Sequence, residues 1–105
     1  MTVAASDLND RFASFSNRGS CVDIIGPGVN VLSAWNTSDA AVNTISGTSM
    51  ATPHIVGIAA RAWASDPAAT ASIIARRVKR RATPGVVTSV PPNTVNKLGY
   101  WSPAS

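Results

Sequence analysis

The stretch from Ser46 to Pro67 constrains the fold more than any other part of the chain. Ser46, Gly47 and Thr48 supply capping chemistry for a helix that begins near Ser49. Small and apolar residues continue from Met50 to Ala64, and Asp66-Pro67 closes the helix. Pro53 falls close to the first turn, where a missing N–H costs least. Ahead of this helix the chain reads as strands joined by turns. Ala13-Ser14-Phe15-Ser16 leads into a turn at Asn17-Arg18-Gly19, and Cys21-Val22-Asp23-Ile24-Ile25 is a β-rich run stopped by Gly26-Pro27-Gly28. Val29 to Ser33 alternates as a strand does, Asn36-Thr37-Ser38-Asp39 is a polar turn, and Ala41 to Ser46 fits a third strand.

Beyond Pro67 a second helix fits Ala68 to Ala82, with Ala71, Ile74, Ala75, Val78 and Ala82 on one face and basic residues on the others. Pro84, Gly85, Pro91 and Pro92 break up the tail, and Val95 to Tyr100 reads as a terminal strand. A short strand, a tight turn holding a polar residue and a long helix together predict an α/β layer. Ligand chemistry in such folds sits where strands end and helices begin, and Ser49 stands at such a junction.

A chain of 105 residues with 45% hydrophobic content is expected to form one domain with a packed core, residues 1–105. No apolar run approaches the roughly 20 residues of a membrane span, which predicts no membrane partner. Met1 to Asp10 lacks the basic start and apolar run of a signal peptide. Charge is lopsided. There is no glutamate, and the basic excess comes from Arg61, Arg76, Arg77, Lys79, Arg80, Arg81 and Lys97. Cys21 is the single cysteine, so it is either a buried thiol or half of a bridge to a partner outside the chain.

Ser49 has the placement a nucleophile needs. At a helix N-terminus its backbone N–H points out of the first turn and can donate to an oxyanion. The helix dipole favours negative charge developing there, and Gly47 lets a substrate backbone approach closely. An ordinary capped helix would explain a Ser-Gly-Thr-Ser run equally well. The whole string Gly47-Thr48-Ser49-Met50-Ala51-Thr52-Pro53-His54 is too long and specific for that reading to suffice.

That string resembles the nucleophile segment of subtilisin-type serine proteases. The resemblance to the proteinase K branch of the subtilases extends over Ala13 to Ser20, Val22 to Gly28, Val31 to Trp35, Gly85 to Thr88 and Asn93 to Tyr100. It covers nearly the whole chain, most weakly at the basic helix, and only the C-terminal part of the family's catalytic domain. It implies an α/β fold, the C-terminal portion of a subtilisin-type parallel sheet with the nucleophile at a helix N-terminus. It implies serine endopeptidase activity on polypeptide substrates, with Ser49 catalytic, Thr48 flanking the oxyanion hole and Met50 packing beneath the serine. Asp23 matches a position that helps to bind a structural calcium in the complete domain, its other ligands lying upstream. Cys21 sits where relatives carry a disulfide cysteine. The resemblance also implies an extracellular protein.

Subtilisins order their triad Asp, His, Ser along the chain. No histidine precedes Ser49, none of the five aspartates sits in an Asp-Thr-Gly or Asp-Ser-Gly setting, and the oxyanion-hole asparagine has no match. His54 lies five positions after Ser49, which places the two side chains about 140° apart on a helix, and the family implies a packing role for it. The chain is therefore expected to be inactive alone, either as a truncated piece of a protease whose N-terminal part is missing or as a degenerate remnant. It is also expected to expose apolar surface and strand edges, with poor solubility or a molten state as the outcome.

Arg76-Arg77-Val78-Lys79-Arg80-Arg81 is the competing signal, a basic nucleic-acid-binding module being the alternative function. Val78 interrupts the run where a buried face requires it, and no aromatic residue interleaves to stack on bases. A solvated helix face with no nucleic-acid partner is the preferred reading. Asn36-Thr37-Ser38 is a glycosylation acceptor pattern on an expected loop. Trp35, Trp63 and Trp101 read as core or partly buried anchors.

Overall fold

The computed structural model describes residues 1–102. Its elements are β1 (Val3–Ser6), β2 (Ile24–Pro27), β3 (Val31–Ala34), β4 (Val42–Ile45), α1 (Thr48–Ser65), α2 (Ala71–Arg81), β5 (Thr83–Pro84) and β6 (Lys97–Leu98). The main sheet runs β1-β2-β6-β5. β1, β2 and β6 are parallel, and β5 is antiparallel to β6. β3 and β4 form a separate antiparallel hairpin, with Val31 opposite Ile45 and Ala34 opposite Val42.

The first strand is one that the sequence pattern does not mark. It is Val3–Ser6 that enters the sheet, whereas Ala13 to Ser16 turns away from it. Short and alanine-rich, Val3–Ser6 has little β-propensity of its own. It is a strand because both its faces are covered. Val3, Ala5 and Ile24 pack with Ala51, Ile55, Ala62, Ile74 and Val78 on the helical side. Ala4 and Ile25 pack with Phe12, Val22 and Val87 on the other. Successive side chains leave a strand on opposite faces, so neighbours in sequence enter different cores. Ile24 and Ile25, both fully buried, each contribute about 1.5–3 kcal/mol of burial free energy.

Both helices form close to their expected bounds. α2 starts later than the sequence suggests, because the Thr70 hydroxyl accepts the Ile73 N–H and caps it there. Ile74, Val78 and Ala82 are buried as the amphipathic pattern predicts, while Ala71 is exposed. The terminal strand shrinks to Lys97–Leu98. Cys21 is exposed, which removes the buried-thiol reading. Trp35 and Trp63 are also substantially exposed. Trp63 is held by its indole N–H, which donates to the Ala69 carbonyl at 3.0 Å. Trp101 is half-buried, with the Arg61 guanidinium over its ring. Among the described residues no helix is long and apolar enough to cross a membrane.

Candidate active site

Ser49 lies in the first turn of α1, directly after the short link from β4, and is exposed. Two close approaches put it there. A Cβ on Gly26 would lie 3.0 Å from the Ala51 carbonyl oxygen, and one on Gly28 would lie 2.7 Å from that of Gly47. With glycine at both positions the start of α1 rests directly on the end of β2. The Gly47 N–H donates to the Gly28 carbonyl at 2.8 Å.

The capping groups act differently from the sequence expectation. Gly47 is the N-cap, and among the described residues no side chain caps α1. The Ser46 hydroxyl instead accepts the Asn30 N–H at 2.8 Å, and the Thr48 hydroxyl accepts that of Asn17 at 3.3 Å. Both hydroxyls are spent on tying neighbouring loops to the helix start. The first-turn N–H groups thus keep no side-chain cap, the arrangement that suits an approaching anion.

Pro53 also departs from expectation, standing inside the helix. Its missing N–H would have bonded to the Ser49 carbonyl one turn back. Side chains serve the carbonyls on either side. The Thr52 hydroxyl donates to the Thr48 carbonyl at 3.1 Å, and His54 Nδ1–H donates to that of Met50 at 3.0 Å.

An apolar cleft of about 360 Å³ opens beside Ser49, walled by the β3–β4 hairpin through Leu32, Trp35 and Ile45 and by α1 through Met50, Pro53 and His54. Met50 is half-buried and approaches Gly47, where a Cβ would lie 3.3 Å from its sulfur. His54 is exposed on the cleft. No hydrogen bond among the described residues joins it to Ser49. The sequence pattern marks Leu32 and Trp35 as strand and anchor residues, not as cleft residues. Nothing in their local pattern says that the hairpin folds over the helix start.

Asp23 lies away from this cleft. One carboxylate oxygen accepts the Thr2 N–H at 2.8 Å, and the other is 3.9 Å from the Lys79 ammonium. Calcium takes roughly six to eight oxygen ligands. No cluster of three His, Cys, Asp or Glu side chains exists among the described residues, so these residues alone do not fit a calcium ion. In the basic helix Val78 is buried and Arg77 pairs with Asp66 at 2.8 Å, while Arg76, Arg80 and Arg81 are exposed.

Several known proteins are similar to this chain in sequence and in fold. It is 47% identical over 102 residues to the putative subtilase-type proteinase isp6 of Schizosaccharomyces pombe, a match covering 95% of this chain and 22% of that protein. It is 50% identical to alkaline protease 1 of Emericella nidulans (95% and 25% covered) and to the cuticle-degrading protease of Metarhizium anisopliae (94% and 25% covered). The chain thus spans about a quarter or less of the length of these relatives. The fold superposes on the crystal structure of a cold-adapted subtilisin-like serine proteinase with a TM-score of 0.88 and 41% identity, covering 95% of this chain and 36% of that one. The model of the subtilase family, Peptidase_S8, matches residues 1–100, and the chain belongs to that family.

Proposed function

We propose that this chain is the nucleophile-bearing part of a serine endopeptidase, with Ser49 as the nucleophile. The observation that carries the reading is the exposed Ser49 at the uncapped start of α1, beside an apolar cleft able to take a peptide. Ser49 Oγ attacks the scissile carbonyl to form an acyl-enzyme. The Ser49 N–H lies at the positive end of α1, where negative charge on the tetrahedral oxygen is favoured. The hydroxyl proton passes to a histidine outside these 105 residues, since His54 is engaged one turn back on its own helix. The triad aspartate and the oxyanion asparagine come from the same outside part, as would further oxygens for any calcium at Asp23.

Without a base a serine protease loses several orders of magnitude in rate, as is documented for subtilisin itself. An absent oxyanion donor removes roughly a further 10²–10³. The chain by itself is accordingly without useful peptidase activity. Its substrates are polypeptides, and its place is extracellular, in keeping with a relative named for degrading cuticle.

A fluorophosphonate, which labels only an activated serine, tests the reading. The chain is compared alone and joined to the N-terminal portion of a fungal relative's catalytic domain, called here the completed domain. Labelling of Ser49 in the completed domain and not in the chain alone is expected. A completed domain that folds yet leaves Ser49 unlabelled would refute the assignment.

A further inference from the structure

We propose that Asn36 is a modification site, the acceptor of an asparagine-linked oligosaccharide on the outer turn of the β3–β4 hairpin, beside the Ser49 cleft. The chemical signature is Asn36-Thr37-Ser38, with a middle residue other than proline. The structure adds what three residues cannot show. The pattern lies in the turn between Ala34 and Val42, and every residue from 32 to 40 is exposed. Among the described residues the turn is closed by backbone bonds alone. The Trp35 N–H donates to the Ala41 carbonyl at 2.9 Å, and the Ala41 N–H to the Ser38 carbonyl at 3.2 Å. The Asn36 amide and the Ser38 hydroxyl make no hydrogen bond to another described residue, so a transferase can reach both without unfolding the hairpin.

The surroundings suit a glycan. Asn36, Thr37, Ser38 and Asp39 form a polar tip above a hairpin whose Leu32 and Val42 are 65% and 64% exposed. A bulky, solubilising saccharide on that tip offsets the apolar strands below it. Leu32 and Trp35 of the same hairpin line the Ser49 cleft, so the sugar would stand on the cleft's rim.

The inference rests on the extracellular placement proposed above, because the donor is met only on the secretory route. In the transfer, Asn36 Nδ2 bonds to C1 of the first sugar of a lipid-pyrophosphate-linked oligosaccharide. The bond from C1 to the pyrophosphate oxygen breaks, the lipid pyrophosphate leaves, and the proton released from Nδ2 passes to a base of the transferase. No electron transfer is involved.

The test directs the chain into the secretory pathway of a yeast host and recovers it from lysate and medium, so that poor folding does not hide the result. Digestion with a peptide N-glycosidase in heavy-oxygen water is followed by mass spectrometry of the Asn36 peptide. A mobility shift on digestion and heavy-oxygen aspartate at position 36 are expected. Both should vanish in Asn36→Gln and Ser38→Ala and persist in Ser38→Thr. An unmodified Asn36 in chain that has entered the pathway overturns the site. The placement fails separately: if the native gene product is absent from the culture medium while the directed chain is glycosylated, the site stands and the extracellular reading falls.

Discussion

The Gly28 carbonyl accepts the Gly47 N–H at 2.8 Å, and a Cβ at Gly28 would lie 2.7 Å from the Gly47 carbonyl oxygen. The end of β2 and the start of α1 are therefore in backbone-to-backbone contact, and Ser49 takes its position from that contact. A Gly28→Ala side chain would also meet the Ala5 and Ala51 methyls, neither of which can rotate away. Overpacking of this kind costs about 1–3 kcal/mol. Urea unfolding of the completed domain is expected to show that loss, with slower labelling of Ser49. Unchanged stability and labelling would mean that the contact does not set the site.

Ser49 and His54 line one cleft but are separated by the helix's own geometry, and His54 Nδ1–H is engaged by the Met50 carbonyl. In the completed domain Ser49→Ala should abolish labelling and peptide hydrolysis, whereas His54→Ala should retain most of the rate. A loss of several orders of magnitude in His54→Ala would make that histidine the base and overturn its placement outside the reaction.

The basic helix is divided between a buried seam and a solvated face. Ile74 packs in the main core, while Arg80 is exposed and makes no ion pair with another described residue. Ile74→Ala is expected to lower the stability of the completed domain by about 2–5 kcal/mol. Arg80→Ala should stay within about 0.5 kcal/mol. Denaturant midpoints of the two variants check the contrast, and equal losses would show that the arginine face is also packed.

The chain alone leaves Leu32, Val42 and Val56 more than half exposed and Trp35 and Trp63 partly so. Apolar surface on this scale is expected to bind a hydrophobic dye strongly and to go with a broad, non-cooperative thermal transition. A sharp melt of the isolated chain at low dye binding would show instead that its two small cores suffice.

Much of this protein was legible in its residues. The run from Ser46 to His54 carried the family, because a long specific string is independent of packing. The 3.6-residue spacing of Ile74, Val78 and Ala82 identified the buried seam of α2 inside a basic run, and Asp66-Pro67 marked the end of α1. These are local signals, set by backbone geometry within one element.

The tertiary structure decided the rest. Val3–Ser6 is a strand because Ile55 and Val87 pack in the clusters that cover its two faces, not because alanine favours extended chain. Ser46 and Thr48 carry the side chains of helix caps, yet their hydroxyls accept from Asn30 and Asn17, residues brought near only by folding. Leu32 and Trp35 became cleft walls when the β3–β4 hairpin closed over the start of α1. The sequence by itself determined the family and the places where chain segments turn. Which surfaces meet depends on contacts between residues far apart in the chain, and no local pattern encodes those.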